Sequence, residues 1–121
     1  MASGYFIRVG VHHVKPAMTD RFKEMMGEAV AALAKAESPI GFDTFEVQFG
    51  EGSFVVVAGA ESAAAFYSAP STGELLNKAL GTEGTATMVQ EWRDCITKYE
   101  TGDYTTRPDL SYVPMEGGYE E

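Results

Sequence analysis

The chain has 121 residues and a formal net charge of −9, with 18 Asp and Glu against 9 Lys and Arg. That length predicts one domain with a core of its own, and the acidic balance excludes a nucleic-acid or other phosphate-binding surface, because polyanions are repelled over most approaches. The lone Cys95 excludes an intramolecular disulfide and suits a reducing compartment, no apolar run is long enough for a bilayer, and Met1 to Gly4 lead straight into the first strand, so a cytoplasmic domain without signal peptide or membrane contact is expected.

Tyr5 to Val14 reads as a strand rich in β-branched and aromatic residues. Alternation puts Tyr5, Ile7, Val9, Val11 and His13 on one face, and Phe6, Arg8, Gly10, His12 and Val14 on the other. Lys15-Pro16 closes the strand, since Pro cannot donate to a ladder. Thr19 is placed to cap a helix, with Asp20 where the helix dipole favours an anion. Phe22, Met25, Met26, Ala29, Val30 and Leu33 then form one apolar stripe at helical spacing. The helix is expected to stop near Ser38-Pro39, because the residue before a Pro disfavours the helical region.

Phe42 to Phe49 predicts a second strand, with Phe45, Val47 and Phe49 on one face and Thr44, Glu46 and Gln48 on the other. Gly50-Glu-Gly52 is a hairpin signal. The return strand, Ser53 to Gly59, is apolar on both faces, which predicts cover on both sides; in so short a chain the second cover points to another subunit. Ser62 is expected to cap a short helix from Ala63 to Tyr67 that Pro70 interrupts. Ser71 and Glu74 have capping-box spacing before Leu75, Leu76, Ala79 and Leu80. Gly81 and Gly84 mark a break before Met88, Val89 and Trp92. Cys95 to Thr106 either prolongs that helix to Tyr99 or forms a last strand; its Thr, Tyr and Ile density favours the strand. Residues 107–121 form an acidic tail that cannot build a core, leaving residues 1–106 as the folded domain.

The order strand, helix, two-stranded hairpin, broken helix, strand is βαββαβ: α+β, ferredoxin-like, with an antiparallel sheet. With Val14-Lys-Pro16, Gly41…Phe45-Glu-Val47, Phe54-Val-Val-Val57 and Ala65-Phe66-Tyr67 in it, the chain resembles the dimeric α/β-barrel superfamily, which includes antibiotic-biosynthesis-type monooxygenases that use no cofactor. The resemblance covers about Tyr5 to Thr106. It implies a homodimer whose two sheets pack into a barrel, and a small-molecule pocket between sheet and helices. Many members carry a His after a Phe on the second helix, whereas here Tyr67 follows Phe66.

The residues that carry chemistry are few. His12 and His13 are neighbours on a strand and point to opposite faces, so they cannot chelate one metal together; no third ligand stands at metal spacing, and no metal site is expected. Gly81-Thr-Glu-Gly84 lacks the Lys of a phosphate loop, and no nucleotide or other cofactor is expected. Each His is a candidate acid–base group, and the alternative for each is a hydrogen-bonded residue near a strand end. Arg8, His12, Glu46 and Gln48 are expected to gather on one sheet face, where Arg8 and Glu46 either neutralise each other or bind a ligand carbonyl or carboxylate. Gly10 would leave the backbone there open to a ligand. Tyr67 and Trp92 are candidate walls for a flat aromatic ligand, or plain core.

The expected function is binding of a small aromatic or polyketide-like molecule, with cofactor-free oxidation as its chemistry. His12 or His13 would take a proton from the substrate and Arg8 would stabilise the oxyanion. The alternative is a non-catalytic dimeric binding or interaction module.

Overall fold

The structure, a computed structural model, describes residues 5–48, 52–112 and 114. Its elements are β1 (Phe6–Val14), a 3₁₀ turn (Pro16–Met18), α1 (Thr19–Lys35), β2 (Phe42–Glu46), β3 (Ser53–Ala60), α2 (Ala63–Ser68), α3 (Thr72–Cys95), β4 (Ile96–Thr105) and a second 3₁₀ turn (Pro108–Leu110). The four strands form one antiparallel sheet in the order β2-β3-β1-β4. This is the α+β, ferredoxin-like fold, with the second helical region split by Pro70 into α2 and α3.

Most local signals act as their chemistry dictates. Ser62 accepts the backbone N–H of Ala65 at the start of α2. Ser71 accepts the Glu74 N–H, and the Glu74 carboxylate accepts the Ser71 N–H, completing a capping box. Gly81 interrupts α3 at φ 81° and ψ 167°, a region only glycine occupies readily, whereas Gly84 stays helical. The last element is the strand: Cys95 ends α3 and Ile96 opens β4.

Three expectations are corrected. Thr19 does not cap α1; the cap position is Met18, without a side-chain bond, because Pro16 has already turned the chain through the 3₁₀ turn. The α1 stripe faces the core at Phe22, Met25, Met26, Ala29 and Leu33, joined by buried Ala32, but its sixth residue, Val30, is about half exposed. β2 ends at Glu46, leaving Val47 and Gln48 outside the strand, although the Val47 N–H still bonds the Ser53 carbonyl. Strand β3 is apolar on both faces as read, and the helices of this chain cover one of them. The predicted hairpin tip at Gly50-Glu51, the Phe49 position and most of the tail lie outside the described residues.

Register decides what each face carries. Val9 opposes Val57 and Val11 opposes Val55, so Ile7, Val9, Val11, Val55 and Val57 share the face turned away from the helices, with Phe45 beside them on β2. The helix-covered face carries Phe6, Arg8, Gly10, His12 and Val14. Its Val14 end is filled: Val14, Phe22, Met25, Phe54, Leu76, Met88 and Cys95 form the buried core. Its Arg8 end is not filled, and there the cavity lies.

Candidate functional site

Between the sheet, α1, α2 and the start of α3 lies a cavity of about 480 Å³. That is the size of a small-molecule site. Met26, Leu33, Ile40, Val56, Ala58 and Leu75 make it largely apolar, while Arg8, His12, Tyr67 and Tyr99 form a polar wall. It exists because β3 carries small residues at this end and the short α2, stopped by Pro70, spans only part of the sheet.

Arg8 is positioned by the β1–β4 register, which sets it directly opposite Asp103. Its Nε–H donates to Asp103 Oδ1 at 2.7 Å and its Nη2 to Oδ2 at 2.9 Å, a bidentate pair. The Tyr67 hydroxyl donates to the same Oδ2 at 2.5 Å. The guanidinium also lies 4.9 Å from the Phe66 ring centroid. Hydrogen bonds from Arg8, and then from Tyr67, hold the Asp103 carboxyl down at about 2. The bond to Asp103 raises both the Arg8 and Tyr67 pKa values. Phe6 carries α2 by ring contacts to Phe66 at 4.9 Å and Tyr67 at 5.5 Å. Of the two readings for Arg8 and Glu46, mutual neutralisation does not occur: Arg8 pairs with Asp103, and Glu46 with Lys23.

His12 is buried at the boundary between cavity and core. Its Nδ1 accepts the indole N–H of Trp92 at 2.9 Å. The rings of Tyr99, Phe22 and Trp92 surround it at 4.8, 5.6 and 5.8 Å. Burial pushes its pKa below the ordinary histidine value. Gly10 does line the cavity, but its missing side chain is space occupied by Tyr99: a Cβ there would stand 2.9 Å from the Tyr99 hydroxyl oxygen.

His13 points to the other face of the sheet, with Nε2 3.0 Å from Glu100 Oε1 and Nδ1 3.3 Å from Ser53 Oγ. The contact with His13, followed by that with Lys98, lowers the Glu100 pKa. Glu46 stands on edge strand β2, 3.5 Å from Lys23 Nζ, and Gln48 is exposed beyond the strand; neither lines the cavity. Trp92 does not line it either and stands behind His12 and Tyr99, which do. Thus Arg8, His12 and Tyr67 come together, whereas His13, Glu46, Gln48 and Trp92 stand apart from the cavity. Sequence reasoning missed Asp103 and Tyr99; their alternation with Thr101 in the last strand was visible, but the register that sets Asp103 against Arg8 was not. Among the described residues, no three His, Cys, Asp or Glu side chains are grouped to hold a metal ion, and no helix is long and apolar enough to cross a membrane.

No protein-family model matches the chain, and no curated protein is similar to it in sequence. Solved structures do share its fold. A point variant of SnoaB, a cofactor-independent oxygenase from Streptomyces nogalater, is similar over 91% of this chain and 100% of its own, at TM-score 0.58 and 19% identity. A candidate antibiotic biosynthesis monooxygenase from Caulobacter crescentus is similar over 87% and 92% of the two chains, at 0.60 and 16%. A dimeric ferredoxin-like protein from an uncultured marine organism is similar over 93% and 95%, at 0.60 and 10%. At such identities the likeness is one of fold, and the fold is that of the antibiotic-biosynthesis-monooxygenase-like, ferredoxin-like proteins named in the resemblance.

Proposed function

We propose that this protein binds a small, flat, uncharged and largely apolar molecule, aromatic or polyketide-like, between its sheet and helices, and that its chemistry is oxidation of that molecule without a cofactor. The observation that carries this reading is the cavity itself: apolar walls around one polar wall of Arg8, His12 and Tyr67. Arg8 is the only charged residue among the described ones that line it, and Asp103 cancels that charge. A carboxylate ligand would therefore gain little there, while a carbonyl or hydroxyl can still use the guanidinium N–H groups not taken by Asp103. Loss of a proton to water from an acidic carbon conjugated with a substrate carbonyl gives a carbanion that dioxygen converts to a hydroperoxide, which loses water to leave a new carbonyl, and Arg8 and His12 line the wall where the enolate oxygen would gather charge. SnoaB, a cofactor-independent oxygenase, shares the fold and supports this chemistry by analogy.

The open apolar sheet face supports a homodimer. Half-buried Val9, Val11, Val55 and Val57 and exposed Phe45 and Tyr104 form a surface that a second copy would cover sheet to sheet. Oxygen uptake by purified protein supplied with an anthrone, which has an acidic CH₂ beside its carbonyl-bearing ring system, tests the reading. Uptake above the protein-free rate that falls in Arg8→Gln supports it. The second reading, a non-catalytic binding module, is favoured by one observation: Arg8 and His12 already have partners in Asp103 and Trp92. Binding without oxygen uptake would select it.

A further inference from the structure

The Trp92–His12 contact determines more than the packing of two rings. An indole N–H can only donate, so the atom it meets, Nδ1 of His12 at 2.9 Å, must be the ring's lone-pair nitrogen. In a neutral imidazole the proton then sits on Nε2. Moving it to Nδ1, or adding a second one there, would set two N–H groups against each other in a buried place. The three rings packed on His12, from α1, α3 and β4, carry no charge that would favour the imidazolium. Among the described residues nothing is hydrogen-bonded to Nε2, and Thr85 Oγ1 is the fully buried polar side-chain atom without a partner. Nε2 is therefore reachable, and the space His12 borders is the cavity.

We propose that Trp92 is a positioning residue which fixes His12 as a neutral imidazole with its proton on Nε2, so that His12 meets a ligand as a hydrogen-bond donor and not as a base. The ligand must then bring an acceptor, a carbonyl or ether oxygen, to that point. The ligand part rests on the small-molecule reading above; the tautomer part does not. It also changes the division of labour in the oxidation: His12 stabilises negative charge on the substrate oxygen, as a second donor beside Arg8, and the substrate's proton passes to water.

Long-range proton–nitrogen correlation NMR on the isotope-labelled full chain reads the tautomer directly, with His13→Gln identifying the His12 signals. At neutral pH the expected pattern is a pyridine-type Nδ1 and a pyrrole-type Nε2. In Trp92→Phe, which keeps an aromatic ring, the two nitrogens should average towards a mixture, and the titration midpoint should move up towards the ordinary 6.5. A pyrrole-type Nδ1 or a charged ring in the wild type overturns the proposal, as does an unchanged tautomer in Trp92→Phe. The wild-type measurement stands even if the variant folds poorly. For the ligand, α-tetralone and tetralin have the same shape and differ by one carbonyl. Binding of α-tetralone up to about tenfold tighter, with a shift of the His12 Nε2 proton, is expected for one added hydrogen bond. Equal binding overturns the donor role. Failure of both probes to bind overturns the small-molecule reading and the ligand part with it, leaving the tautomer to be judged by its own signal.

Discussion

Replacing Phe22 by alanine removes the side chain that joins α1 to the sheet directly beside His12. The ring is wholly buried, 4.9 Å from the Phe54 ring on β3 and 5.6 Å from His12 on β1. Burying a phenylalanine removes about 150–250 Å² from water, which at about 25 cal/mol per Å² is about 4–6 kcal/mol before subtracting what alanine still buries. Buried Phe→Ala substitutions cost about 3–5 kcal/mol, so the two routes agree at roughly 4 kcal/mol. A domain of this length holds about 6–18 kcal/mol in total, so the variant should lose a quarter to two-thirds of its stability. At about 4 °C per kcal/mol, the thermal midpoint should fall by about 12–20 °C. Circular dichroism melts and urea titrations at one fixed protein concentration measure this, since a dimer's stability depends on concentration. Phe22→Leu, which refills most of the space, should lose only about 1–2 kcal/mol. A midpoint shift under about 4 °C in Phe22→Ala, with unchanged helical signal, would refute the packing of α1 on the sheet.

Val57→Asp puts a charge in the centre of the open sheet face and should turn a dimer into a monomer in light scattering; a wild-type monomer would sink the dimer proposal outright. Asp103 titrates at about 2 when folded against 3.8 when free, so its contribution is present above 3.8 and is lost as the pH falls towards 2; Asp103→Asn should flatten urea stability across that window. The His12 imidazole is also lowered by burial, so the unfolded chain takes up that proton first and stability falls as the pH drops below 6.5. His12→Gln should remove that loss, and an unchanged profile would contradict the burial. Gly81→Ala forces a side chain into a backbone region suited to glycine and should lower stability by about 1–3 kcal/mol in urea unfolding, with no neighbouring atom in the way to confuse the cause.

Much of the fold was legible because its signals are local. Caps at Ser62 and Ser71, the break at Gly81, the Pro70 interruption and the strand alternation of Tyr5 to Val14 each depend on residues within a few positions of one another. The candidate site was legible in part for the same reason: alternation alone puts Arg8 and His12 on one face and His13 on the other. Asp103 escaped because it lies 95 positions from Arg8, and only the pairing of β1 with β4 sets them opposite. Glu46 shares the face of His12 yet stands two strands away on the sheet edge, a lateral distance that no period of two encodes. Trp92 looked like a wall for a ligand because its spacing shows only that it faces inward; that it meets His12 and not the cavity depends on where α3 crosses the sheet.

The elements, their order and the two faces of each strand follow from local signals, because hydrogen-bonding periodicity, capping and backbone sterics act over a few residues. Which polar groups neutralise one another, which end of the sheet stays open as a cavity and which histidine borders it emerge only when the whole chain is packed. Those outcomes depend on strand register and helix crossing, which are fixed by the packing of the whole core and carry no local mark.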